Sequence, residues 1–243
     1  MGDNASDAEA TGVFDTSRTV ALVGEAAVRR LASARVAVVG VGGVGGWCAE
    51  ALARTGVGRL TIVDDDVVVP SNVNRQCAAT ADAMGRPKVE AMRDRLLAVN
   101  PSCEVEAVRA RWPGGLPAGF SIGNFDCVVD AIDSVDCKAD LLLAATDAGV
   151  PVVSSMGAAL RLDPTKVVVR EFSKVSGDGL ARALRRRFKA VGRFPTSPIA
   201  CVCSPELPRE SAVPGVKGSF MPVVCAFGMA LAAEALRRLD LHG

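Results

Sequence analysis

The sequence predicts an α/β fold: a mostly parallel sheet with helices on both faces, plus a small C-terminal lobe with antiparallel strands. Three observations predict it. Short β-branched runs, Arg35-Val36-Ala37-Val38-Val39 and Leu60-Thr61-Ile62-Val63, flank a segment of helical period. Continuous apolar runs of that length make strands buried on both faces. Between them stands Gly40-Val41-Gly42-Gly43-Val44-Gly45, a match to G-x-G-x-x-G between strand and helix. Polar or glycine residues then recur at the carboxyl ends of four expected strands, the rim where open parallel sheets bind ligands. The pattern is Rossmann-like.

Taken in order, residues 1–12 are polar, acidic and small, and predict a disordered tail. Arg18 to Leu31 reads as one leading helix, with Val20, Val23, Ala27 and Leu31 at roughly helical spacing. The helix after the glycine turn carries Val44, Cys48, Ala51, Leu52 and Thr55 as a buried stripe, and Gly56 and Gly58 stop it. Asp64 ends the second strand roughly 20 residues past the turn, where an acid meets a ribose hydroxyl. Lys88 to Asn100 predicts a helix burying Val89, Met92, Leu96 and Val99; Glu104 to Arg109 predicts a third strand. Phe125 to Ala131 reads as the fourth strand and delivers Asp133 and Ser134 to the same rim as Asp64. A helix from Val135 to Ala148 and a strand from Val150 to Ser155 complete a nucleotide-binding domain over residues 13–160.

Residues 161–243 read as a substrate lobe closed by a C-terminal helix. Val167 to Val169 predicts an antiparallel strand, and Ile199 to Val202 a short one. Gly179 to Val191 predicts a helix with Leu180, Leu184, Phe188 and Val191 on one side. Its other faces carry Arg182, Arg185, Arg186, Arg187 and Lys189 with no acid, more positive charge than solubility requires. The longest apolar run, Val223 to Ala233, is too short to span a bilayer and reads as a buried core helix.

Composition narrows the chemistry. Twenty-eight Lys and Arg against 27 Asp and Glu leave no global field, so binding of a polyanion needs a local patch. Tyr is absent and the one histidine is His242, which argues against His-based acid–base chemistry, His-ligated metals and a Ser-His-Asp triad. The eight cysteines contain no C-x-x-C, so no paired zinc site is expected. Cys48 and Cys127 fall in apolar patterns as core residues. No signal peptide is read, so reduced thiols and a cytoplasmic location are the expectation.

The segment beyond the second strand selects among nucleotide chemistries. Asp64-Asp65-Asp66 leads into Ser71-Asn72-Val73-Asn74-Arg75-Gln76 and then Gly85-Arg86-Pro87-Lys88. A nicotinamide-dependent oxidoreductase has no natural role for Asn72, Arg75, Gln76 and Lys88. An enzyme that holds a triphosphate and neutralises departing pyrophosphate does. These motifs resemble those of the MoeB/ThiF/HesA adenylating enzymes, relatives of the ubiquitin-activating enzymes. The later motifs Leu162-Asp163-Pro164-Thr165, Leu180-Ala181 before a basic helix, Cys203-Ser204-Pro205-Glu206 and Gly218-Ser219-Phe220 resemble the tRNA threonylcarbamoyladenosine dehydratase branch. Asp178-Gly179 and Glu171-Phe172 depart from that branch, which has Asp-Pro and Asp-Ile there.

The resemblance implies ATP-dependent adenylation of the threonylcarbamoyladenosine carboxylate in tRNA, then cyclising dehydration. It implies ATP and Mg2+, and leaves open a monovalent cation. Arg75, Lys88 and Asp133 would be catalytic, with Asp133 holding the metal of Mg-ATP. Gly40, Gly42, Gly43, Gly45, Asp64, Asp66, Ser71, Asn72, Asn74, Gln76 and Ser134 would bind nucleotide. Arg18 would reach a partner subunit's phosphates and Arg75 would act across the interface of a homodimer. Cysteine desulfurase or sulfur-acceptor proteins are further partners the resemblance admits. Cys201 and Cys203 are expected to be structural, since ring closure proceeds without an enzyme thioester. The competing readings are adenylation of the C-terminal glycine of a ubiquitin-like sulfur carrier, and a non-enzymatic nucleotide-bound adaptor.

Overall fold

The structure, a computed structural model, describes residues 14–239. The expected tail over residues 1–12 and His242 lie outside them. The leading helix is two helices, α1 (Ser17–Val23) and α2 (Glu25–Ser33). Gly24 breaks them at φ 82° and ψ 159°, a conformation that costs glycine little and other residues much. Helix α2 buries Ala27 and Leu31, whereas α1 buries no residue.

Seven strands form one sheet: β1 (Arg35–Val39), β2 (Arg59–Val63), β3 (Glu104–Val108), β4 (Cys127–Asp130), β5 (Val152–Ser155), β6 (Val168–Glu171) and β7 (Ala200–Cys203). Their order is β3-β2-β1-β4-β5-β7-β6, parallel except for the antiparallel pair β6 and β7. Strand order runs outward in opposite directions from β1 and β4, which opens a crevice at their carboxyl ends. Val39 pairs with both Val63 and Asp130, so the exits of β1, β2 and β4 stand level.

Alternate strand residues feed opposite faces. Val36, Val38, Leu60, Ile62 and Val129 pack beneath α3 (Gly43–Thr55), α4 (Lys88–Val99) and α7 (Met221–Arg238). Ala37, Val39, Val63 and Val128 face the side of α5 (Val135–Asp147) and α6 (Gly179–Val191). Of the expected stripe in α3, Cys48 and Leu52 are buried while Val44, Ala51 and Thr55 are half-buried, and Gly45, Gly46, Ala49, Glu50 and Ala53 are buried beside them. The helix packs against both the sheet and the neighbouring α7, so small residues are needed on two sides. A Cβ on Gly228 would come within 2.8 Å of the Val44 carbonyl oxygen, which explains the glycine in α7.

The apolar run in α7 is core, with Val223, Phe227 and Leu231 fully buried. Among the described residues no helix is long and apolar enough to cross a membrane. Cys48 and Cys127 are fully buried, and burial raises both thiols.

Candidate active site

A cavity of about 810 Å³ occupies the crevice. Gly40 and Gly42 line its floor, with Gly43 at the start of α3. Gly40 sits at φ 88°, and a Cβ there would lie 2.8 Å from the Ala131 carbonyl oxygen. No side chain caps α3, so its first N–H groups remain free to meet phosphate oxygens. Gly45 plays a different part. It does not line the cavity; a Cβ there would fall 1.8 Å from the Gly40 carbonyl oxygen, so this glycine lets the helix close onto the strand.

Asp64 lines the cavity at the exit of β2 and accepts from the N–H groups of Val41 and Asp66, each at 2.9 Å. Burial raises its carboxyl, and the nearby Lys88 charge works against that. Lys88 is the first residue of α4. Its ammonium lies 2.6 Å from Asp66 Oδ2, with the lysine side chain 9% exposed and the aspartate 65% exposed. The carboxylates of Asp64, Asp65 and Asp66 lie within 4.8 Å of one another.

Asn72, Arg75 and Gln76 also line the cavity. Asn72 is buried and accepts from Val69 N–H at 3.2 Å, which shapes the loop. Ser71 and Asn74 stay off the cavity. The Ser71 carbonyl and Asn74 Oδ1 instead accept from Arg75 Nη1 at 2.7 and 2.9 Å, while Trp47 Nε1 donates to the Arg75 carbonyl at 3.0 Å. Arg75 is thereby held at the cavity of its own chain. Arg18 is exposed on α1 and does not line it.

Asp133 and Ser134 line the rim after β4. The turn carrying them rests on a group that periodicity did not reveal. Lys138 in α5 pairs with Asp130 at 2.7 Å, both side chains 0% exposed, and also donates to the Ile132 carbonyl at 3.0 Å. Asp130 accepts further from Ser154 Oγ and Ile132 N–H. An opposite charge inside each of two apolar elements was the available clue.

The cavity continues past the nucleotide end to Gly157, Leu160, Arg161 and Asp178. Arg111, also unforeseen, lines it at the exit of β3. Contact with the Cys137 thiol, then the charges of Asp65 and Asp133, raise its guanidinium. Cys201 and Cys203 are buried in β7 off the cavity, and burial raises both thiols.

The five cations of α6 divide. Arg185 donates to the carbonyls of Phe172 and Val175 at 2.7 and 2.6 Å and stacks over the Phe172 ring at 5.0 Å. Arg187 pairs with Asp136 at 2.8 Å. Arg182, Arg186 and Lys189 are exposed. Leu184 and Phe188 anchor the helix as expected, while Val191 at its end is 39% exposed.

Residues 14–243 match the ThiF family model. A tRNA threonylcarbamoyladenosine dehydratase of Bacillus subtilis is 39% identical over 176 residues, 72% of this chain and 69% of the relative. The dehydratase of that name from Escherichia coli is 42% identical over 173 residues, 71% of this chain and 64% of the relative. In three dimensions the fold matches Escherichia coli tRNA N6-threonylcarbamoyladenosine dehydratase in complex with ATP. The TM-score is 0.80 at 33% identity, covering 94% of this chain and 97% of that one.

Proposed function

From the premise that this chain belongs to the ThiF family, we infer that it adenylates the carboxylate of threonylcarbamoyladenosine in tRNA and then closes that group into a ring. The observation that carries this reading is one continuous cavity. It holds a glycine turn, an acid at β2 and a nearly buried lysine at one end, and opens to Gly157 and Arg161 at the other. A nucleotide and an acyl substrate can meet inside it.

A free carboxylate does not condense directly, because hydroxide is a poor leaving group. Its oxygen attacks the α-phosphorus of ATP, the bond to the bridging oxygen breaks, and pyrophosphate leaves. A nucleophilic atom of the same modified base then attacks the acyl carbon and AMP departs. The net change in the base is loss of water. Proximity of that internal nucleophile supplies what a general base or enzyme thiol would otherwise supply.

The chain's own groups fit the first step. The open N–H groups of α3 and the dipole behind them favour phosphate oxygens. Asp64 accepts from a ribose hydroxyl. Lys88 and Arg75 offset charge developing toward pyrophosphate. The donor set also fits Mg2+, a hard ion that takes oxygen ligands: the Asp133 carboxylate stands exposed on the cavity rim. Bound there, the ion would withdraw charge from the phosphate oxygens.

The tRNA contact surface is the exposed part of α6. Replacing Arg182, Arg186 and Lys189 by Glu is expected to raise the KM for modified tRNA strongly and to leave ATP binding unchanged. Each lost phosphate contact should flatten the log–log salt slope by roughly 0.7 to 0.9, through the counterions it no longer releases. Wild-type processing with an unchanged slope would remove α6 from the tRNA interface. The protein acts as a homodimer in this reading, and a monomer by light scattering during turnover would contradict that.

A further inference from the structure

At the acyl end of the cavity, where α6 begins, lies a second buried ion pair. Arg161 and Asp178 are 3.1 Å apart, their side chains 2% and 1% exposed. Asp178 caps α6, accepting from Ala181 N–H at 2.9 Å. Its other oxygen accepts from Gly157 N–H at 3.2 Å, at the exit of β5. Arg161 donates to the Gly157 carbonyl and, through Nε, to the Glu206 carbonyl at 3.1 Å. The turn between them contains Leu160 at φ 62°, the one non-glycine with positive φ among the described residues. A strained residue of this kind persists only where its surroundings hold it. Leu160 N–H donates to the Gly218 carbonyl at 2.9 Å, and Arg209 N–H donates to the Leu160 carbonyl at 2.8 Å.

One pair of side chains therefore fixes three things together: the start of α6, the turn at the acyl end of the cavity, and the loop at Glu206. We propose that Arg161 and Asp178 are positioning residues that couple tRNA docking on α6 to nucleotide binding in the cavity. Docking on Arg182, Arg186 and Lys189 restrains α6, and Asp178 passes that restraint to Arg161 and the 157–161 turn. The ordering cost is then met once for two ligands, which makes their binding mutually favourable. The proposal rests on the reading of α6 as the tRNA face.

The test measures binding without turnover. A non-hydrolysable ATP analogue is titrated with and without saturating tRNA that lacks the threonylcarbamoyl group, and tRNA affinity is measured separately. In the wild type, tRNA should tighten the analogue by about fivefold or more, within the usual range of coupling between sites. In the double variant Arg161→Gln with Asp178→Asn the ratio should fall below about twofold. That variant removes both charges together, avoiding a stranded buried ion, and asparagine keeps the cap. Each affinity is also measured alone in the variant, so that the ratio is read against the variant's own baseline. Gly157→Ala provides a second route, since its Cβ would press on Asp178 Oδ2 at 3.3 Å while leaving both charges in place. It too should lower the ratio, and it decides the matter if the double variant fails to fold. An unchanged ratio in the folded variants, or tRNA binding without any shift in the wild type, overturns the coupling. Absence of tRNA binding by the wild type instead overturns the tRNA reading, and the coupling with it.

Discussion

Lys88→Ala is expected to lower AMP formation by on the order of 100-fold or more while leaving the fold intact. The ammonium enters the cavity at the first residue of α4, with only 9% of the side chain exposed, where a charge is worth more than in water. Its ion-pair partner, Asp66, is 65% exposed and can be rehydrated when the lysine is removed. Stability should therefore change by only about 1 kcal/mol or less. Single-turnover AMP formation and a urea melt on the same preparation separate the two effects. Near wild-type turnover would remove Lys88 from the phosphate site.

Lys138→Met is expected to do the reverse first, destabilising the fold by about 3–5 kcal/mol. Asp130 would be left at 0% exposure with Ser154 Oγ and Ile132 N–H but no countercharge. Activity should fall as well, because the Ile132 carbonyl would lose its ammonium donor and the turn bearing Asp133 would loosen. Urea denaturation measures the loss. A companion variant, Asp130→Leu with Lys138→Met, strands no charge and should recover much of the stability. A single variant as stable as wild type would show that the buried pair does not hold the turn.

These two lysines mark where sequence reading ends. The place of Lys88 at the cavity was legible because it follows a glycine-proline turn and opens an amphipathic helix just beyond the second strand. Lys138 was not, because a lysine on a helix is ordinarily a solvated residue, and its partner is set by the packing of α5 on β4. Arg161 and Asp178 belong to two loops 17 residues apart whose meeting depends on how β5 and α6 pack. Local pattern carries no such distance. The glycines show the same limit. The turn was legible as a cavity-lining element, yet Gly45 serves helix–strand contact, and Gly24 splits a helix whose apolar spacing looked continuous. In α6 the count of positive charges was right, but Arg185 and Arg187 are committed within the chain. The strands of the parallel sheet and the convergence of their ends followed from short β-branched runs and the polar residues ending them, whereas the order of the strands was set by packing.

The central claim is the identity of the carboxylate that is activated. The protein is incubated with ATP and one of two substrates: tRNA bearing threonylcarbamoyladenosine, or small carrier proteins ending in glycine. AMP release is then followed. The account predicts AMP release driven by the modified tRNA, with loss of water from the modified base. Release driven by the carrier proteins, with none from the modified tRNA, would contradict it.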